Sequence, residues 1–378
     1  MLQSPGVWQK DETREKEIER AKKWKAMATS MTSGTKNKKL TEGAGMNWKF
    51  STKDPKLISR TWKGIPDCWR GAAWHSFLTS SAEKRGNCLP DEELKAIYHE
   101  LVERGSADDV QIDLDVPRTI SSHIMFRRRY RGGQRLLFRV LHALSLHFPE
   151  VGYVQGMAAL AATLLCYYDE ETTFIMLVRL WELRGLGKLY EPGFGGLIEA
   201  LDELENKWLK GGLAFQQLEV LKIEPTAYGT KWYLTLFNYS IPFPAQLRVW
   251  DVFMLLGDPE TPAPASSSEH TIPNDPQQTQ IGFGGTLDII HATSAALIDG
   301  MKDMLLTSDF ENAMKMLTSW IPVKDEELLM KVAKTEWKMR RRRRPFGGRE
   351  LTGGGAGIIA GARETLPTSP AVSQRGRH

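Results

Sequence analysis

The chain has 378 residues, of which 41% are hydrophobic and 25% are charged, and its formal net charge is +4. This composition is typical of a globular protein that buries either one large domain or two ordinary ones. No apolar run reaches the roughly 18–20 residues that cross a bilayer, so we expect no membrane-spanning helix. We also expect no secretory signal, because residues 1–10 contain no apolar segment.

Charge is distributed unevenly along the chain. Residues 1–60 carry 14 Lys and Arg against 7 Asp and Glu, and residues 338–378 carry 10 against 2. The intervening residues 61–337 carry 26 against 37 and are therefore acidic. The pattern indicates an acidic body between two basic arms, which are usually solvated and sometimes contact anionic membranes. An acidic body argues against nucleic-acid binding, and we expect none.

The cysteines, histidines and glycines predict no cofactor site. The three cysteines, Cys68, Cys88 and Cys166, are odd in number and far apart, which is typical of a reducing compartment. No CxxC or HExxH spacing is present, so we expect no zinc site. The glycine-rich segment 353–361 follows an arginine run instead of a strand, and Gly229–Lys231 lacks the residue order of a P-loop. We therefore expect no nucleotide site and no metal site.

The first 55 residues are predicted to form a charged arm followed by a linker. Within residues 11–28, four apolar residues repeat at helical spacing: Ile18, Ala21, Trp24 and Ala28. This spacing favours a helix that lies on the core of the protein. Residues 29–55 are rich in Ser, Thr, Gly and Lys, a composition typical of a linker.

The central residues 56–337 are predicted to form a single all-α domain. Their apolar residues repeat with a helical period in several long segments: Leu136 to Phe148, Val154 to Tyr168, Phe174 to Trp181, and Leu197 to Trp208. We find no convincing series of alternating strands. Many short helices separated by Gly and Pro are the expected result.

Two segments interrupt or follow this helical pattern. Residues 257–285 contain five prolines and few apolar residues, which predicts a disordered insertion between two core helices. Residues 338–378 are predicted to form a basic, Gly-rich, disordered tail. Its arginine run, Arg340 to Arg344, has three interpretations: a nuclear signal, a phosphoinositide-binding patch or a solvated charge run. The solvated run is the simplest of them.

Three short segments of the helical region contain candidate functional residues: Arg70-x-x-x-Trp74, Ile112-x-x-Asp115-x-x-Arg118 and Tyr153-x-Gln155. Each segment alone has an ordinary structural explanation. Arg70 could stack on Trp74, which lies one helical turn later. Asp115 could simply pair with Arg118, and Gln155 could cap the helix that follows it.

Together, and in this order, the three segments resemble the TBC domain, the catalytic domain of GTPase-activating proteins for Rab GTPases. That family is marked by the motifs R-x-x-x-W, I-x-x-D-x-x-R and Y-x-Q. Residues 232–237 and 248–251 are also similar to family blocks, and the resemblance spans roughly residues 56–337. Two features depart from the family pattern and bear on the choice of partner. No Phe-Pro pair follows Arg118, and the insertion at 257–285 is long.

The resemblance implies that Arg118 is an arginine finger and Gln155 a glutamine finger. Arginine suits the transition state of phosphoryl transfer because it is always charged and donates directed hydrogen bonds. The amide of glutamine can both accept from and donate to the attacking water. The resemblance further implies that GTP and Mg²⁺ belong to a partner, a Rab-family GTPase. The protein would then be a GTPase activator with no substrate turnover of its own, cytoplasmic and peripheral on endomembranes.

The other motif residues are implied to support the fingers: Arg70, Trp74, Ile112, Asp115 and Tyr153. Asp115 is expected to bond the neighbouring backbone or Arg70, while Tyr153 and Trp74 are expected to pack between helices. An alternative function is a non-catalytic adaptor that binds a small GTPase through the same surface. The presence of both Arg118 and Gln155 favours the activator, because an adaptor has no chemical need for either.

Overall fold

The computed structural model describes residues 7–31, 47–120, 123, 125–126, 132–258, 283 and 285–343. Over these ranges the chain forms 17 α-helices and one antiparallel pair of short strands. The prediction of an all-α domain is therefore confirmed. Within the same ranges, no helix combines the length and the apolar character needed to cross a membrane.

The described helices up to residue 189 differ widely in length: α1 Val7–Lys25, α2 Pro55–Trp62, α3 Asp67–Arg85, α4 Asp91–Val102, α5 Asp109–Asp115, α6 Gly133–His147, α7 Met157–Leu165, α8 Glu170–Leu183 and α9 Leu186–Leu189. Asp54 and Asp169 cap α2 and α8 by accepting a backbone N–H from the first turn of each helix. A 3₁₀ turn, Val116–Arg118, directly follows α5. The two aspartates thus mark where α2 and α8 begin.

The remaining helices build the second half of the domain: α10 Gly195–Glu203, α11 Leu213–Val220, α12 Pro225–Leu234, α13 Phe243–Leu256, α14 Asp288–Gly300, α15 Lys302–Leu306, α16 Phe310–Thr318 and α17 Glu326–Arg343. A second 3₁₀ turn, Pro192–Phe194, precedes α10, and the π-helix Leu204–Leu209 follows it. Helix α13 is largely buried, with every side chain from Ala245 to Leu255 in the interior. It contacts α2, α3, α14 and α17 and thus joins the two halves of the chain.

The N-terminal arm is part of the folded domain where the structure describes it. Strand β1, Ala28–Ser30, pairs with β2, Trp48–Phe50. Trp24 of α1 is buried, and its ring meets the ring of Phe50 edge-on at 5.6 Å. The predicted helix on the core is observed. The prediction of a linker over 29–55 is wrong at both ends, because strand residues lie there. Strand β2 is held against the domain by the ring of Phe50, which packs on α3.

The predicted insertion extends too far at both ends, and the predicted tail begins too early in the chain. Asp258 lies within 4 Å of the guanidinium groups of Arg85 and Arg184, and Phe283 is buried beside Gly185. Residues 259–282 and 284 lie outside the described residues. Helix α17 continues to Arg343, beyond the predicted tail start at residue 338, while residues 344–378 lie outside the description. The helix continues because its last turns still contact the domain through Arg340.

Candidate functional site

The carboxylate of Asp251, on α13, is completely buried and organises the first motif. Its Oδ1 accepts hydrogen bonds from Arg70 Nε and Trp74 Nε1, both at 2.9 Å. Its Oδ2 accepts the backbone N–H of Ile65 at 2.8 Å. The four-residue spacing of Arg70 and Trp74 places both donors on the same face of α3. The first motif is therefore a structural clamp between α3, α13 and the turn before α3.

The Arg70 guanidinium has further partners that complete its hydrogen bonding. It donates to the backbone carbonyl of Ile65 at 2.8 Å, to Asp67 at 2.6 Å and to the Tyr167 hydroxyl at 3.1 Å. Burial disfavours the Arg70 cation, but the Asp251 carboxylate outweighs this and raises the pKa of Arg70 above its ordinary range. Burial raises the pKa of Asp251, and the Arg70, Ile65 and Trp74 donors oppose that rise.

Among the described residues, the Asp115 carboxylate bonds neither of its two expected partners, Arg70 and the neighbouring backbone. The partner of Arg70 is Asp251, from a helix 181 residues later in the chain. Asp115 instead belongs to a separate cluster with Arg118 and Tyr153. Within the described residues, no side chain is shared between the hydrogen bonds of the two clusters.

The second motif lies at the end of α5 and in the 3₁₀ turn that follows it. Ile112 is completely buried and fixes α5 on the domain, and Asp115 is its last residue. One carboxylate oxygen of Asp115 accepts from Arg118 Nη2, and the other accepts from the Tyr153 hydroxyl at 2.7 Å. The side chain of Arg118 is nevertheless 68% exposed. The buried carboxylate thus holds one end of an arginine whose surface remains open to a partner.

The third motif forms a glycine-flanked turn beside this cluster. Gly152 and Gly156 have φ angles of +62° and +114°, a region that favours glycine. A Cβ on Gly156 would lie 3.6 Å from the carbonyl oxygen of Leu234, so this turn lies close to the end of α12. Gln155 is exposed in the turn and precedes α7, which begins at Met157. Among the described residues its side chain makes no hydrogen bond.

Tyr153 connects the second and third motifs. Its backbone N–H donates to Asp108 at 2.9 Å, and its hydroxyl donates to Asp115. Burial and the Asp115 carboxylate both raise the pKa of Tyr153 far above its ordinary value, so the hydroxyl stays a donor. The structure thereby brings Asp115, Arg118 and Tyr153 together and places the turn of Gln155 next to them.

The turn that follows α12 is a functional element that the sequence did not predict. Leu236, Phe237 and Tyr239 all have positive φ angles, between 44° and 67°, which is costly for residues with side chains. Trp250 Nε1 donates to the carbonyl of Leu236 at 2.9 Å and helps to hold this conformation. The similarity of residues 232–237 to a family block was the sequence signal closest to this turn. It did not identify Tyr239, two residues beyond it.

Tyr239 contacts the chain directly after Arg118. Its hydroxyl accepts the backbone N–H of Ile120 at 3.2 Å, and the residue is 42% exposed. Ile120 has a φ of +45°, an outlier for a β-branched residue. Tyr239 therefore helps to fix the strained segment that leaves the Arg118 turn.

Comparison with known proteins identifies the class that this fold and these motifs define. The sequence model described as the Rab-GTPase-TBC domain matches residues 67–264, just over half of the chain. A TBC domain-containing protein of Schizosaccharomyces pombe is 43% identical over 333 residues, which cover 87% of this chain and 70% of that protein. The Rab GTPase-activating protein tbc-11 of Caenorhabditis elegans is 29% identical over 281 residues, which cover 74% of this chain but only 26% of that protein.

Solved structures support the same fold. The crystal structure of the Ypt/Rab-GAP domain of Gyp1p superimposes with a TM-score of 0.62 and 16% identity, covering 87% of this chain and 99% of that domain. The Rab-GAP TBC domain of Chlamydomonas flagella superimposes with a TM-score of 0.55 and 23% identity, covering 75% and 85%. The chain therefore belongs to the Rab-GTPase-TBC domain family.

The buried clamp predicts that Asp251→Asn destabilises the protein strongly. Asparagine keeps the shape of the side chain but leaves the Arg70 cation without its buried counter-charge. We expect a loss of about 3–5 kcal/mol in the free energy of unfolding, measured by urea denaturation. The matched control is Asp67→Asn, which removes a carboxylate from the same arginine at a side chain that is 77% exposed. That change should cost no more than about 1 kcal/mol. Equal effects of the two variants would contradict the clamp.

Proposed function

We propose that this chain accelerates GTP hydrolysis by a Rab-family small GTPase, with Arg118 as arginine finger and Gln155 as glutamine finger. Membership of the Rab-GTPase-TBC family supports the stimulation of GTP hydrolysis, without reference to particular residues. The observation that carries the finger assignment is the Asp115 carboxylate, which accepts from Arg118 on one oxygen and from Tyr153 on the other. A single buried group thus connects the segments of both exposed finger residues.

The geometry suits a finger that must leave its resting partner. Arg118 pairs with Asp115 in the free protein, but its side chain is largely exposed, so water screens the pair. The buried Asp115 carboxylate keeps its hydrogen bond from the Tyr153 hydroxyl when the guanidinium leaves, so an approaching phosphate can compete for Arg118. In the complex, the guanidinium would stabilise charge on the phosphoryl oxygens, and the Gln155 amide would orient the attacking water.

The remaining parts of the reaction centre are assigned to the partner. We propose that the GTPase holds both the nucleotide and Mg²⁺, and that this chain contributes only side chains. We further propose a cytoplasmic location with transient contact to endomembranes, in which the basic residues 338–378 take part. The GTPase would be presented at a membrane surface, where even a weak contact raises the local concentration of the activator.

Arg118→Ala is expected to lose most of the stimulated hydrolysis, on the order of 10³–10⁵-fold on the scale of trans-acting arginine fingers. Arg118→Lys should restore little, because an ammonium cannot reproduce the directed hydrogen bonds of guanidinium. Phosphate release from a panel of GTP-loaded Rab proteins measures the rate. Arg104→Ala, another exposed arginine, is the matched control. Wild-type rates for Arg118→Ala would refute the finger, and binding without acceleration by the unmodified chain would instead support an adaptor.

Gln155→Ala is expected to reduce the stimulated rate by roughly 10²-fold, the loss typical of removing one oriented polar group from a transition state. Gln111→Ala, at another exposed position close to Asp115 in sequence, is the control. A GTPase whose own switch glutamine is replaced should still respond to the unmodified chain, because the water-orienting amide comes from Gln155. Complete resistance of that GTPase would argue against this assignment.

Tyr239→Phe tests whether Tyr239 positions the Arg118 segment. The change removes only the hydroxyl that accepts from Ile120, so we expect a two- to tenfold lower kcat, equivalent to about 0.5–1.5 kcal/mol, with an unchanged KM for the GTPase. Tyr228→Phe is the control, because the buried Tyr228 hydroxyl has no partner among the described residues. A change in KM alone would assign Tyr239 to binding. An unchanged kcat would leave Arg118 as a finger that needs no such support.

A further inference from the structure

One side of α17 carries a row of positive charges. Lys331, Lys334, Lys338 and Arg341 are separated by three or four residues, so their side chains project from the same side of the helix. From first to last they span about 15 Å of helix. The neighbouring Arg340 points elsewhere, since it donates to the carbonyl of Trp208 at 2.8 Å. The basic residues of α17 therefore lie on two different faces. Arg340 is on a face that contacts the domain, and Lys331, Lys334, Lys338 and Arg341 are on the face that we call the charged face.

A lysine at the end of helix α2, far earlier in the chain, joins the charged face of α17. Lys334 Nζ lies 5.5 Å from the ring centre of Trp62, and the rings of Trp62 and Trp337 are 5.6 Å apart. Lys63, the exposed residue after Trp62, is thereby brought to the lysines of α17. Burial and the charges of Lys338 and Lys63 lower the pKa of Lys334, in agreement with this convergence. We call Lys63, Lys334 and Lys338 the basic cluster.

The basic cluster has no counter-charge within the described part of the chain. None of its three lysines pairs with a carboxylate there. Glu327 lies on the same side of α17, one turn before Lys331, but it is bonded to Arg248 at 3.0 Å. By contrast, Lys23 and Arg20 of nearby α1 are paired with Glu19 and Glu17. The folded domain is acidic overall, so an unpaired cationic patch on it requires a separate explanation.

We propose that the basic cluster is a membrane-contact surface that binds the phosphate headgroups of an anionic bilayer. Lys63 and Lys338 are exposed and Lys334 is half-buried between them. Such an extended row matches a plane of headgroups better than a single phosphorylated side chain, which would need a pocket with directed donors. The contact is made by the folded domain and does not require residues 344–378. It is also separate from Arg118 and Gln155, so it stands whether or not the proposed activity does.

The test is sedimentation of the full chain with vesicles of phosphatidylcholine, with or without phosphatidylserine. Lys63→Glu combined with Lys338→Glu should weaken binding to the anionic vesicles by at least about tenfold, since two attractive charges become repulsive. Binding of the unmodified chain should also fall as salt is added. Both lysines are exposed, so the fold should persist, and thermal unfolding verifies this. Lys334→Gln provides a milder variant that keeps the alkyl chain beside Trp62.

Two comparisons make the proposal specific. Lys210→Glu combined with Lys315→Glu produces the same change in net charge at exposed positions elsewhere and should leave most of the binding intact. Truncation after Arg343 removes the remaining tail and should retain a salt-sensitive contact. If the two double variants lose the same amount of vesicle binding, net charge alone explains the effect and the proposal is overturned. Loss of all binding on truncation, or no binding of the unmodified chain to anionic vesicles, would overturn it as well.

Discussion

A carboxylate in a completely buried position is tolerable only when several donors surround it, and Asp251 depends on such a set. Its donors come from Arg70 and Trp74 on α3 and from the backbone of Ile65. Because α13 also contacts α2, α14 and α17, this one ionic contact ties together elements that lie far apart in sequence. The fold must bring all three of these donor groups to Asp251 at once.

The same helix connects the clamp to the proposed catalytic surface. Trp250, next to Asp251, donates to Leu236 and supports the strained turn that presents Tyr239. Tyr239 in turn accepts from Ile120, directly after the Arg118 segment. An arginine finger needs an exposed guanidinium on a rigid backbone, and these contacts fix the backbone while leaving the guanidinium open. The motif residues therefore separate into a buried frame and an exposed functional pair.

The charged ends of the chain illustrate how folding separates residues of one type. Arg340 and Arg341 are adjacent in sequence, yet Arg340 donates to the carbonyl of Trp208 and Arg341 lies over the ring of Trp337. A run of five arginines has the appearance of a uniform solvated tail in sequence. Because Arg340 and Arg341 lie on a helix, their side chains point about 100° apart and meet different surroundings. Lys63 is brought to the charged face of α17, the side away from Arg340, by the contact of Trp62 with Trp337.

The sequence by itself determined the all-α class, the family and the positions of the helical segments, because apolar period and short ordered motifs are local properties. It also identified Arg118, Gln155 and their supporting residues as candidates. Only the tertiary structure decided that Arg70 pairs with Asp251 and that Asp115 pairs with Arg118 and Tyr153. It also revealed Tyr239 and drew Phe50 and Phe283 into the core. Those outcomes depend on contacts between distant segments, and a charge or an aromatic ring in a sequence carries no record of the partner that burial will give it.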